Sequence, residues 1–466
     1  MADKKTNKAS RAPLSPGIMS VIKNAAYILS GQGVQLGVRF VYAVVLARAL
    51  GPHDYGLIAY GTSLYIAVLP VTKFGIEHVV IRVIGYDKAR GRELLQSSLP
   101  LRRAAAYFST VVFAAAALFW ENDQPTQAIL ACFAIALLGR SFAQWNQAIF
   151  TAYEANRFSF RLQAVFRALE VALGLLALAV WRTPLTIVLV HASTWWLEVV
   201  FGTLLLHREF STPRGKWNLE DVKTILAESI PVCLAMTMLS VMSQGPLLTF
   251  KYLNGAGIAA GNLALAMQVF SLLSLMTIAL NSASYPVLSR AIARGDGKEV
   301  FFVEAMMRFT LFLGPTVALL GMALGPDLMV FAFGNKYAEA GSLIGTTLWM
   351  MIPWTAMNSL MRVQTARRNI RSTLCILAAG VLCFVLVSRP ATDLYGSQGT
   401  VLAALAGMSI IAAGLFMAVT RHGNMKIKLA VIYPLCAMSF SIGAFRMLTP
   451  YGPWAALLGG GRSSNV

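Results

Sequence analysis

The chain has 466 residues, of which 57% are hydrophobic and 13% charged, with a mean hydropathy of +0.64; this is more apolar surface than one water-soluble core can bury. A net charge of +19 would suit nucleic acid, but the basic residues are scattered between long apolar runs, so membrane orientation accounts for them and nucleic acid is not an expected partner. Cys132, Cys233, Cys375, Cys383 and Cys436 all fall inside apolar runs without metal-ligand spacing, so disulfides, metals and cofactors are not expected.

A membrane-spanning helix needs about 20 mostly apolar residues, because a helix satisfies its own backbone hydrogen bonds in hydrocarbon. Residues 1–24 carry five basic residues and no apolar core of signal-peptide length, which predicts a mobile cytoplasmic tail. Spans follow at 26–47, 56–76, 104–120, 127–149, 162–181 and 184–206, giving an N-terminal six-helix bundle within 25–207. The polar segment HREFSTPRGKWNLEDVKTILAES, residues 207–229, then supplies a turn and a short amphipathic pattern, and 208–227 is predicted as a cytoplasmic linker. Six more spans, at 228–250, 258–286, 309–333, 341–360, 372–388 and 398–419, make a C-terminal six-helix bundle within 228–420. A thirteenth, 428–447, lies in a C-terminal extension, 421–466, with room for one or two further helices.

The predicted fold class is therefore an all-α polytopic membrane protein with two six-helix bundles, twelve core transmembrane helices, and one or two extra C-terminal helices. The longest connections, 77–103 and 287–308, are basic and too small for a soluble catalytic domain. The halves are faintly alike: LGPHDYGLIAY opens the second span and LNGAGIAAGNL the eighth.

Lys and Arg accumulate in loops that stay cytoplasmic. With the N-terminus inside, roughly 28 of the 39 lie in the tail and inner loops, including clusters at Arg82–Arg103, Arg208–Lys223 and Arg362–Arg371.

A charge at the bilayer centre costs on the order of 2.5–3.5 kcal/mol on insertion scales, so charges within spans are candidates for function. Arg39 and Arg140 lie deep in spans one and four. Lys73 and Arg167 lie within two turns of the cytoplasmic span ends, where long stems can reach the interface. Glu170, three residues after Arg167, can share its helix face; Glu198 is near the middle of span six, with His191 two turns away on roughly the same face. Two readings of Arg39 and Arg140 stand: a structural salt bridge with Glu198 or Glu170, or a cationic cavity for an anionic substrate. Every deep charge falls in the first six spans, whereas the second half offers neutral groups such as Gln244, Asn262, Gln268, Asn281 and Asn358. A substrate with phosphate at one end and sugars beyond it suits that split, with Trp145, Trp195, Trp196 and Trp354 as aromatic candidates for sugar or for packing.

The segment LARALGPHDYGLIAYGTSLY, residues 46–65, resembles the first-hairpin signature of polysaccharide-biosynthesis flippases in the multidrug/oligosaccharidyl-lipid/polysaccharide exporter superfamily. SYPVLSRAIARGDGKEV, residues 284–300, and FGNKYAEAGSL, residues 333–343, fit at their expected places, and the resemblance covers nearly the whole chain. Two departures stand out: Gly257-Ile258-Ala259-Ala260-Gly261 lacks the tyrosine of the usual Gly-x-Tyr-x-x-Ala, and the family has twelve or fourteen spans rather than thirteen.

The resemblance implies a V-shaped alternating-access flippase, not an enzyme, that moves a polyprenyl-pyrophosphate-linked oligosaccharide across a bacterial inner membrane for exopolysaccharide, capsule or O-antigen assembly. Under it Arg39 and Arg140 receive the pyrophosphate, Lys73 and Arg167 attract it near the cytoplasmic mouth, and Glu170, Glu198 and His191 balance charge or couple an ion. Expected partners are the lipid-linked oligosaccharide and membrane lipids, with a polysaccharide polymerase and co-polymerase as candidates. Alternatives are a cation-coupled drug exporter, which would favour acidic cavity groups, a cell-wall precursor flippase, and a membrane-embedded glycosyltransferase or polymerase, which would need a positioned acidic base.

Overall fold

A computed structural model describes residues 16–210, 218–255, 257–294, 298–367 and 369–423. Twelve α-helices account for nearly all of them: α1 (Pro16–Lys73), α2 (Ile76–Tyr86), α3 (Lys88–Trp120), α4 (Gln124–Ala152), α5 (Asn156–Val180), α6 (Pro184–Glu209), α7 (Leu219–Asn254), α8 (Ile258–Arg294), α9 (Lys298–Phe333), α10 (Ala338–Leu348), α11 (Met351–Ala366) and α12 (Ile370–Gly423). A short 3₁₀ turn, Asn335–Tyr337, precedes α10, and no strand occurs among the described residues. The thirteenth predicted span and most of the extension 421–466 lie outside the described residues.

Nine of these helices are long and apolar enough to cross a membrane. Two of the nine, α1 and α12, are each two helices joined at a kink, at Gly51 (φ 81°) and Gly396 (φ 56°), which brings the number to eleven. α10 and α11, of 11 and 16 residues, are not among them. At Gly51 the left-handed backbone is open to glycine at little cost, and the following Pro52 starts the second arm with its φ already set.

Local chemistry explains where other helices begin. The Asp123 side chain accepts from the Thr126 amide at 3.1 Å ahead of α4, and Thr183 caps α6 at Thr186, each with a proline in the first turn. Asn218 accepts from the Glu220 amide at 3.0 Å and starts α7. The Thr126 hydrogen bonds hold the Asp123 carboxyl below the usual range, since they favour its ionised form.

Three boundaries differ from expectation. The helix of the first span starts at Pro16 rather than beyond residue 24, because a proline at the first helical position is preorganised for it. The stretch 77–103 is not a loop but α2 and the first turns of α3. Ile76, Val79, Val80 and Ile84 recur at helical spacing and bury one face of α2 against Trp145 of α4 and Ile225 of α7. The connection 287–308 is likewise mostly helical, the end of α8 and the start of α9.

α1 holds the assembly together: it packs on α3, α4 and α5, and equally on α7 and α8. The two similar segments noted in the sequence meet here. A Cβ on Gly56 would lie 3.1 Å from the Gly261 Cα, and one on Gly261 would lie 2.0 Å from the Pro52 carbonyl oxygen. Gly261→Val should therefore collapse the yield of monodisperse protein, whereas Gly257→Ala, with nothing within 4 Å of its Cβ, should leave size-exclusion profile and yield unchanged.

The same end of the molecule is tied further by Arg48, which donates to the carbonyls of Ala332 (2.7 Å) and Phe331 (2.5 Å) at the end of α9. The Tyr337 hydroxyl donates to the Ala47 carbonyl at 2.9 Å, and Lys251 pairs with Glu121. Arg48 thus caps a helix end, because the last carbonyls of α9 have no partner in their own helix.

Candidate functional site

Between the helices lies a cavity of about 800 Å³. One wall comes from α1, α4, α5 and α6, the other from α7, α8 and α11; it runs from Leu46 and Tyr55, beside the Gly51 kink, to His78, Arg362 and Ile370 at the opposite helix ends.

Arg39, Arg140, Glu170 and His191 all line this cavity. Among the described residues Arg39 has neither a hydrogen bond nor an ion pair. Arg140 donates to the Tyr65 hydroxyl, and its guanidinium lies 5.0 Å from the centroid of the Tyr65 ring and 5.4 Å from that of Trp195. Tyr65 is 1% exposed, so the hydroxyl that holds Arg140 is itself fixed.

Arg167 and Glu198 sit behind the cavity, their side chains 3% and 1% exposed. Arg167 pairs with Glu170 and, at 2.9 Å, with Glu198, while lying 3.8 Å from the Trp195 ring centroid. Gln147 donates to the other Glu198 oxygen at 2.7 Å. The salt bridge expected of Arg39 or Arg140 is therefore made by Arg167. The mouth position expected for Arg167 is not observed, because two carboxylates from α5 and α6 converge on it and a buried cation is retained where its charge and donors are matched.

His191 bridges the two groups of residues. Its Nδ1 is 2.5 Å from Glu170 Oε1, and Trp195 Nε1 donates to its Nε2 at 3.2 Å. An indole nitrogen can only donate, so Nε2 is the acceptor and the proton is on Nδ1, directed at the carboxylate. Protonating the ring would set an N–H against the indole N–H and cost that hydrogen bond. With His191 neutral, three arginines face two glutamates, and the excess positive charge belongs to the unpaired groups, Arg39 and Arg140.

Lys73 is apart from this cluster. It lines a pocket of about 160 Å³ beside the cavity and pairs with Glu77 at 3.1 Å. Glu77 also meets Arg102 at 3.4 Å; burial pushes its carboxyl up, but Lys73 and then Arg102 outweigh this and hold it below the usual range.

Arg102, read from the sequence as a loop residue, is 1% exposed; it donates to the Thr72 and Ser141 carbonyls at 2.6 and 2.7 Å and to Ser141 Oγ at 2.8 Å. It ties α1, α3 and α4 together, and nothing in the local sequence separates it from the basic residues around it. Tyr65 and Gln147 were equally silent in the sequence. Of the four candidate tryptophans, Trp354 alone lines the cavity. Trp145 packs under α2, Trp195 backs the arginines, and Trp196 donates to the Ile135 carbonyl at 3.1 Å. Gln244, Gln268 and Asn358 also line the cavity, whereas Asn262 donates to Glu339 at 2.9 Å near the Gly51 kink; the Asn281 side chain lies outside the described residues.

Solved structures of transporters share this helical fold. Lipid II flippase MurJ in an inward closed conformation is similar with a TM-score of 0.70 at 11% identity, over 94% of this chain and 95% of that one. The eukaryotic MATE transporter AtDTX14 gives 0.64 at 13% identity, covering 86% of this chain and 96% of that one. A MOP superfamily transporter from Pyrococcus furiosus gives 0.63 at 12%, covering 86% and 95%. No curated protein sequence matches the chain. Residues 21–292, more than half of the chain, match the family described as polysaccharide biosynthesis protein, and the chain belongs to that family.

Proposed function

We propose that this protein is a flippase carrying a polyprenyl-pyrophosphate-linked oligosaccharide from the cytoplasmic to the outer leaflet of a bacterial inner membrane, for assembly of a surface polysaccharide. The observation that carries this reading is the division of the charges. Arg167 pairs with both Glu170 and Glu198, so Arg39 and Arg140 face the cavity with no carboxylate in contact, and three arginines against two glutamates leave the site a surplus positive charge. Two such groups favour a multiply charged anion, and arginine suits phosphate oxygens through paired N–H donors.

In the proposed topology the N-terminus and the basic helix ends are cytoplasmic. The cavity then reaches toward the cytoplasm near His78, Arg362 and Ile370 and is closed outside by Arg48, Tyr337 and the Gly56–Gly261 contact. The bundles 25–207 and 228–420 would rock about this closed end to expose the site alternately. Lys73 would attract phosphate beside the mouth, while Arg167, Glu170, Glu198 and His191 would hold the charge balance against which a coupling ion acts. A drug exporter for cations is disfavoured, because the cavity-lining carboxylate Glu170 is already engaged by Arg167 and His191. Family membership supports the polysaccharide role, and transport rather than enzymatic transfer is the activity proposed.

The test is translocation in proteoliposomes of a fluorescent polyprenyl-pyrophosphate oligosaccharide, read by loss of accessibility to a membrane-impermeant glycan-oxidising reagent. Purified protein should raise the rate well above that of protein-free vesicles; a rate equal to that of empty vesicles with and without a proton or sodium gradient overturns the reading.

A further inference from the structure

The two walls of the cavity differ in chemistry. Apart from Arg362 at the end of α11, the lining residues from α7, α8 and α11 are uncharged. Three of them carry hydrogen-bonding capacity that no described residue uses. Trp354 is 6% exposed, and its indole N–H has no acceptor among the described residues. Asn358, one turn later on the same face of α11, donates from Nδ2 to the Trp354 carbonyl at 2.8 Å, and its Oδ1 has no donor among the described residues. Gln268 on α8 makes no side-chain hydrogen bond at all among the described residues.

Buried donors without partners are uncommon in native proteins and call for a ligand or water to complete them. The Trp354 ring is held edge-on by Phe270, with centroids 5.7 Å apart, so its position does not depend on that missing bond. An indole and two planar amides suit vicinal hydroxyls: each amide both donates and accepts, and the aromatic face covers the apolar C–H side of a sugar ring.

Building on the flippase reading above, we propose that the α8–α11 wall is a saccharide-binding surface, in which Trp354, Gln268 and Asn358 hold the sugars nearest the pyrophosphate while Arg39 and Arg140 hold the phosphates across the cavity. Specificity then has two separate sources. The arginines require only the anion, whereas the opposite wall rewards hydroxyls and rejects a head group that leaves its donors unmatched.

Binding of the purified full chain to farnesyl pyrophosphate, and to the same pyrophosphate bearing glucose, galactose or N-acetylglucosamine, separates these contributions. At least one sugar should tighten binding over the bare pyrophosphate. Trp354→Phe, which keeps an aromatic ring, and Gln268→Leu should each cut that gain about fivefold to tenfold, as expected for one lost hydrogen bond, with bare pyrophosphate binding unchanged. Arg140→Ala should weaken all four probes alike. If none of the sugars improves binding, or if Trp354→Phe and Gln268→Leu leave the gain intact or weaken bare pyrophosphate equally, the saccharide wall is overturned while the flippase reading stands. If the wild-type chain binds none of the probes, the flippase reading fails and the saccharide wall with it.

Discussion

Replacing Arg140 by alanine is expected to abolish polysaccharide export while leaving the protein folded and inserted at its normal level. The two expectations separate because of how this arginine is held. Its described partners are a tyrosine hydroxyl and two aromatic rings, so its removal strands no buried carboxylate; Glu170 and Glu198 keep their contacts with Arg167. What is lost is the cation facing the cavity. A charge-assisted hydrogen bond contributes roughly 1.5–3 kcal/mol, which for one arginine corresponds to about a tenfold to hundredfold loss of pyrophosphate affinity. Arg140→Lys should retain part of the export, since a point charge remains without the planar pair of donors. Tyr65→Phe should fall between wild type and Arg140→Ala, because the guanidinium is kept but no longer fixed. The measurement is surface polysaccharide from a deletion strain carrying each variant, with immunoblots for protein level. Full export from Arg140→Ala at normal level would remove the main support for a phosphate-binding role.

Arg167→Met is expected to fail earlier, at folding. Removing one partner of a buried ion pair leaves the other charge without compensation, at a cost of about 3–5 kcal/mol, and here two carboxylates lose the same partner. Folded yield and the thermal unfolding temperature in detergent should both drop sharply. Adding Glu170→Gln and Glu198→Gln in the same chain should restore much of the loss, since neutral amides tolerate burial where unpaired carboxylates do not. Failure of this rescue would mean that Arg167 stabilises the protein through its packing on Trp195 rather than by neutralising the pair. The contrast with Arg140→Ala tests the division of labour directly: one arginine is dispensable for folding and required for transport, the other required for folding first.

The sequence specified a good deal of this protein. Runs of apolar residues of membrane-spanning length, and the turn residues between them, marked every long helix, because in hydrocarbon a backbone must satisfy itself within one continuous segment. Gly51-Pro52 marked the kink in α1 for an equally local reason, a left-handed residue followed by a preset one. The rarity of charge inside spans drew Arg39, Arg140, Arg167, Glu170 and Glu198 to notice from composition alone.

How those charges pair was decided only by the tertiary structure. Arg140 and Tyr65 are 75 positions apart, Arg167 and Glu198 31 apart, and nothing local to either partner selects the other. Arg102 shows the same limit, since its neighbour Arg103 is exposed while it is buried on the carbonyls of Thr72 and Ser141. A span's hydropathy determines that it lies in the membrane, but not its rotation about its own axis. That rotation follows from which helices pack together, and it directs Arg140 into the cavity and leaves Arg167 behind it.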